Sequence, residues 1–252
     1  MSPAPEVGAP APWLAIGLVL VAAAATALGG LILTARARWD AARLQYFVAL
    51  GAGFMLAAAI LRMIPISAER TELAPVLILS GYLLIQFVEH TAVRHFHFGE
   101  ETHPEHTGLA VGLSALVGLS VHSFFDGLSI AAGFLISPSL GVLLFLAIAL
   151  HKAPEGFTIA SIMLAAGRSR LEAQLAATAV GIATLVGAAA VVPLGAYAGQ
   201  ALGLGAGVTL YVAASDLIPE VNRTERSAVA VMVFAGVVLF YVSEQILEAL
   251  GL

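Results

Sequence analysis

The chain has 252 residues, of which 60% are hydrophobic and only 11% charged, and its mean hydropathy is +0.97. A soluble domain carries about 25% charged residues, so this composition belongs to an integral membrane protein. The net charge of −5 leaves no footprint for nucleic acid, and the lack of cysteine excludes disulfides, thiolate metal sites and thiol catalysis.

A membrane-spanning helix needs about 20 mostly apolar residues. The first such run is 13–34. The segment before it, "MSPAPEVGAPAP", has no Lys or Arg, and the run is too long for a signal-peptide core, so a spanning helix is expected rather than a secretory leader. Further runs at 45–66, 74–93, 109–136, 139–166, 171–199, 203–219 and 227–249 predict eight spans in all, the seventh short and Gly-rich. They are too long and uniform for barrel strands, and in lipid a helix satisfies its own backbone.

Lys and Arg favour cytoplasmic loops. With the N-terminus outside, the inner loops hold Arg36, Arg38, Arg43, Arg94, Arg168, Arg170, Arg223 and Arg226, and the outer segments only Arg62 and Arg70. An even number of spans then puts both termini on the extracytoplasmic side. The remaining cation, Lys152, falls inside a span. One inner stretch, "HTAVRHFHFGEETHPEH" at 90–106, contains five of the seven histidines, His90, His95, His97, His103 and His106, among Glu100, Glu101 and Glu105. The connector itself, residues 94–108, reads either as a loose metal-binding segment or as a solvated polar link.

The fourth and fifth spans carry the chemistry. Residues 122–131 read "HSFFDGLSIA" and residues 151–160 read "HKAPEGFTIA". Both give His, three residues, an acid, Gly, a large apolar residue, a hydroxyl residue, Ile, Ala. At 100° per residue, His122, Asp126 and Ser129 share one helical stripe, and His151, Glu155 and Thr158 share another. Facing stripes bring two imidazoles and two carboxylates around one point, a donor set that suits Zn²⁺, Fe²⁺ or Mn²⁺ better than the all-oxygen shells of Ca²⁺ or Mg²⁺. Pro154 cannot bond the carbonyl of Leu150 one turn earlier, so the helix is expected to kink there or leave that carbonyl free, and Gly127 and Gly156 allow close helix approach. Asp126, Lys152 and Glu155 left unpaired would cost roughly 8–10 kcal/mol in the membrane centre. A polar clamp between two helices explains one ion pair, but not two histidines placed identically against two acids.

These motifs resemble the ZIP (Zrt/Irt-like) family of divalent metal-ion transporters. The likeness covers nearly the whole chain: eight spans, outer termini, and a His-rich cytoplasmic loop between the third and fourth spans. Weaker echoes are "GFMLAAAILRMIP" at 53–65 and "SDLIPEVNR" at 215–223, which share an Ile-Pro step. The resemblance implies an all-α membrane protein in a 3+2+3 inverted-repeat arrangement, forming a single transporter domain over 1–252. It implies an ion pathway through spans two, four, five and seven. It also implies movement of spans one, four, five and six against the other four, and a homodimer in the cell (inner) membrane.

For the first metal site the resemblance implies His122, Asp126, His151 and Glu155 as ligands. The second metal site of many members departs here, where Ser123, Lys152 and Thr184 occupy the positions of its extra ligands. Lys152 is three residues before Glu155, within side-chain reach. It is expected to replace the second metal with a tethered positive charge. Ser215 and Asp216 stand where the family often has His-Glu and are read as a cytoplasmic exit relay or a helix-end group. Arg62 is read as a restriction on cation entry or a partner of Glu69. Glu89 and Glu244 are read as boundary or inter-helix hydrogen-bonding residues. The expected function is transport of Zn²⁺ as substrate, with Fe²⁺, Mn²⁺ or Cd²⁺ as alternatives, toward the cytoplasm by alternating access. The competing readings are an intramembrane zinc-dependent hydrolase, which lacks a separate general-base motif here, and a metal sensor, for which there is no soluble reporting domain.

Overall fold

The computed structural model describes residues 12–35, 41–92, 109–222 and 227–251, and these are helical almost throughout, with no strand among them. The His-rich connector 94–108, with His95, His97, His103 and His106, lies outside the described residues, as do Arg36, Arg38, Arg223 and Arg226. The helices are α1 (Pro12–Thr34), α2 (Ala41–Ala58), α3 (Ile64–Arg70), α4 (Ala74–Ala92), α5 (Leu109–Ile136), α6 (Pro138–Ala165), α7 (Arg170–Val191), α8 (Ala198–Tyr211), α9 (Ile218–Asn222) and α10 (Ser227–Ala249).

Among the described residues, 7 helical runs are long and apolar enough to cross a membrane. One of them, Arg170–Leu217, has 48 residues, about twice what a single crossing needs. The sequence reading divides this region at 199–203. The break in the structure comes earlier, at the 3₁₀ turn Val192–Tyr197, where Leu194 has φ −106° and ψ 30°. Pro193 supplies the reason, since it has no N–H for a continuing helix. Helix α8 then starts at Ala198 without an intervening loop.

The Ile-Pro echoes have a structural counterpart. A π-helical segment, Ala59–Met63, joins α2 to α3, and another, Val212–Leu217, joins α8 to α9. Each immediately precedes its Ile-Pro step, where the proline removes one backbone donor and the ladder widens to compensate. Span two therefore continues past its expected end at 66 to Arg70.

The helices sort into two packed groups. In one, α1 packs on α6 and α7, and α5 packs on the same two. In the other, α2 packs on α10, and α8 packs on α3 and α4. Contacts of α5 with α8 and of α2 with α6 join the groups. At four crossings among the described residues, each helix contributes a glycine that meets the other's backbone. A Cβ on Gly29 would strike the carbonyl of Ala153, and one on Gly156 that of Thr26, so α1 and α6 touch directly. Gly127 and Gly187 serve α5 and α7 in the same way, Gly53 and Gly236 serve α2 and α10, and Gly81 and Gly207 serve α4 and α8. Without a hydrophobic drive between helices in lipid, such close approach supplies the packing energy.

The α6–α7 connection is tightly built. Gly167 turns the chain at φ 77°. Ser169 and Glu172 then form a capping box at the start of α7, and Arg168 pairs with Glu172. Gln174 donates to the carbonyl of Ala27 at 3.0 Å, tying α7 to α1.

Candidate metal centre

Helices α5 and α6 are each 28 residues long, and His122 and His151 stand at the middle of their helices. His122, Ser123, Asp126, His151, Lys152 and Glu155 are all buried. The glycine that follows each acid seats the neighbouring helix: Gly127 admits α7 and Gly156 admits α1. Both halves of the repeated pattern thus fix the rotation of their helices, and both polar stripes turn toward each other.

His122 Nε2 and His151 Nε2 are 3.3 Å apart. Asp126 Oδ2 lies 3.1 Å from the first and 3.3 Å from the second. Ligand atoms of these three residues lie within 4.8 Å of one another, close enough to share one metal ion. His151 Nδ1 faces the carbonyl of Ala147 at 3.4 Å. That carbonyl and the Asp126 carboxylate facing Nε2 are both acceptors, so the ring can hold its proton at either nitrogen; with the proton on Nδ1, Nε2 keeps its lone pair for a ligand. Asp126 Oδ1 and His122 Nδ1 are buried without hydrogen-bond partners.

Glu155 is engaged differently. Lys152 Nζ donates to Glu155 Oε2 at 2.7 Å, and the Ser123 hydroxyl donates to Glu155 Oε1 at 2.6 Å. Lys152 Nζ also reaches Asp126 Oδ2 at 2.8 Å and Ser123 Oγ at 2.6 Å. All three protons of the ammonium therefore have acceptors, which a 0% exposed lysine requires. The pattern is reciprocal: the residue after each histidine bonds the acid of the opposite helix. The geometry thus gathers His122, Asp126 and His151 into one ligand group and puts Glu155 beside it, in the grip of Lys152 and Ser123.

The other candidate residues sit as follows. Thr184 is fully buried on α7, and its hydroxyl has no partner. Ser129 is buried against Gly205 of α8, also unpartnered. Ser215 Oγ is 2.7 Å from Tyr82 Oη, and the buried Asp216 hydrogen-bonds Glu89, which also bonds Tyr211. Glu89 is therefore an inter-helix partner, linking α4 to the π segment of α8–α9. Arg62 does not pair with Glu69. It reaches across to α10 and meets Glu244 at 2.9 Å.

Sequence reasoning missed Thr26, which is fully buried on α1 with an unpartnered hydroxyl, as Thr184 is on α7. The signal was present: "TALG" at 26–29 and "TLVG" at 184–187 share a Thr-x-x-Gly pattern, and each glycine is one of the backbone crossings.

A family model described as "ZIP Zinc transporter" matches residues 99–244, more than half of the chain. The chain is 31% identical to Zinc transporter ZIP9-A of Xenopus laevis over 161 residues, which cover 58% of this chain and 52% of that protein. It is 31% identical to Zinc transporter ZIP9 of Micropogonias undulatus over 164 residues, 60% of this chain and 52% of that protein. With Zinc transporter ZIP9 of Macaca fascicularis the identity is 35% over 124 residues, 44% of this chain and 52% of that protein. The chain spans about half the length of the curated relatives it matches.

Proposed function

The chain belongs to the ZIP zinc transporter family, and from that premise we propose that it carries a divalent transition metal, Zn²⁺ foremost, across a membrane toward the cytoplasm. The observation that carries this reading is the convergence of His122 Nε2, Asp126 and His151 Nε2 at the middle of two membrane-length helices. Two imidazole nitrogens and a carboxylate favour zinc-like ions over hard cations. Asp126 Oδ1, buried and unpartnered, is a further donor for the cargo. Glu155, the fourth ligand expected from spacing, joins only if Lys152 releases it.

In this reading Lys152 takes the place of a second metal, with Ser123 and Thr184 at the positions of the other missing ligands. An ammonium cannot ligate a cation, so one ion binds per protomer. Ser215 and Asp216 form the exit toward the cytoplasm, and His95, His97, His103 and His106 capture metal on that side. The chain forms eight spans as one transmembrane transporter unit, with Arg170–Leu217 crossing twice and both termini extracytoplasmic. The 3+2+3 inverted repeat is supported by the paired crossings: α1–α6 matches α7–α5, and α2–α10 matches α8–α4. The two packed groups supply the parts for alternating access, with α1, α5, α6 and α7 moving as one. The protein works as a homodimer in the inner membrane. ZIP proteins are a transporter family, and the hydrolase reading has no support.

Zinc uptake into proteoliposomes tests the reading. His151→Ala and Asp126→Ala are each expected to lower uptake at least about 100-fold while the protein stays folded. Unchanged uptake in both variants would sink it. Competition by Fe²⁺, Mn²⁺ and Cd²⁺ in the same assay ranks the cargo, and equilibrium binding with the 94–108 histidines replaced is expected to give one ion per protomer.

A further inference from the structure

Lys152 is among the largest fully buried side chains of the protein, and its ammonium touches both acids of the metal centre. Among the described residues it is the one lysine or arginine that pairs with Asp126 or Glu155. It comes from the same helix as His151 and Glu155, so it must travel wherever the site travels. These facts bear on a step that the cargo itself does not touch: the return of the empty carrier.

We propose that Lys152 is the built-in counter-ion of the empty return step, and that it lets the protein perform net transport rather than metal-for-metal exchange alone. This rests on the transport reading above. With neutral imidazoles, two carboxylates and one ammonium, the empty site carries a formal charge of −1, and a bound divalent ion changes it to +1. Both half-cycles then move a site of equal charge magnitude. Without the ammonium the same site would be −2 when empty and neutral when loaded. The cost of holding charge in a low-dielectric medium grows with its square. A carrier lacking Lys152 would move easily when loaded and would stall when empty. Ser123 supports the device, because its hydroxyl links Lys152 to Glu155 and keeps the ammonium in place whether or not Asp126 is given over to metal.

The test separates two fluxes in proteoliposomes of the full chain, with the membrane potential clamped at zero. Net entry is radioactive Zn²⁺ moving into a metal-free lumen. Exchange is radioactive Zn²⁺ moving into a lumen loaded with unlabelled Zn²⁺. For Lys152→Met we expect exchange to persist while net entry falls about tenfold or more relative to it, given the cost of an extra buried charge. Zinc affinity measured by titration calorimetry is expected to rise in the same variant. Lys152→Arg, which keeps the charge, should preserve the wild-type ratio. The double variant Lys152→Met with Glu155→Gln restores charges of −1 and +1 and should regain net entry. If Lys152→Met does not fold, Lys152→Gln carries the test and should show the same split. Equal losses in both fluxes, or an unchanged ratio, would overturn the proposal and leave the transport reading standing. A wild-type protein that moves zinc in neither assay would overturn the transport reading itself.

Discussion

Helices α5 and α6 are two versions of one design. They have the same length, the same ten-residue pattern, and the same glycine crossing one residue after the acid. They differ where Ser123 on one matches Lys152 on the other. What they share builds the centre: the histidines meet, and each acid is bonded from the opposite helix. What differs sets its charge. A symmetric version with serine in both places would leave two carboxylates facing each other without a cation. A version with lysine in both would put two ammonium groups against two acids and leave no net attraction for a metal. One of each keeps the site negative when empty.

The comparison breaks most visibly at the glycines. Gly127→Val and Gly156→Val would each drive a side chain into the backbone carbonyl of Thr184 or Thr26. Neither neighbour can yield, since both are helix backbone. Each substitution is expected to cost about 3 kcal/mol or more, seen as a thermal midpoint in detergent lowered by about 6–12 °C. Comparable losses support equivalent crossings; a large loss in one alone would show that the repeated helices are not packed alike.

A smaller effect sharpens the difference between the copies. Ser123→Ala removes the hydroxyl that accepts from Lys152 and donates to Glu155. Hydrogen bonds to buried charged groups are worth about 1.5–3 kcal/mol, and the orphaned partners add a desolvation penalty. The variant should lose about 2 kcal/mol of stability by thermal melting. Ser123→Thr, which keeps the hydroxyl, should recover most of it.

Much of this centre was legible in the sequence because a buried charge in lipid is costly enough to demand a partner. His122, Asp126, His151, Lys152 and Glu155 announced themselves as polar residues in apolar runs, and their i, i+4 spacing gave the facing stripes. The partition of roles among them was not legible. Spacing gives Glu155 and Asp126 equal claims as ligands; what distinguishes them is that Asp126 lies against both imidazoles with Oδ1 left free, while both oxygens of Glu155 are taken by Lys152 and Ser123. The place where 170–217 divides was not legible either, because the Gly-rich stretch near 200 offers as plausible a break as Pro193. Arg62 illustrates a third limit: its partner Glu244 lies on the last helix, far along the chain, where local spacing gives no sign of it.

The finest comparison is between Thr26 and Thr184. Each is fully buried, each lies three residues before a crossing glycine, and neither hydroxyl has a partner. A buried hydroxyl with no partner pays its desolvation cost for nothing, so an isosteric Thr→Val change should be neutral or stabilising by up to about 1 kcal/mol. If the two threonines have only packing roles, Thr26→Val and Thr184→Val will raise the thermal midpoint by similar small amounts and leave zinc affinity unchanged. Thr184, unlike Thr26, belongs to the set proposed from the family's second-metal positions. A fall in zinc affinity in Thr184→Val alone would therefore mean that its hydroxyl turns to the cargo. The symmetry of the fold would then end at the residue level, with α7 serving the site and α1 serving only the packing.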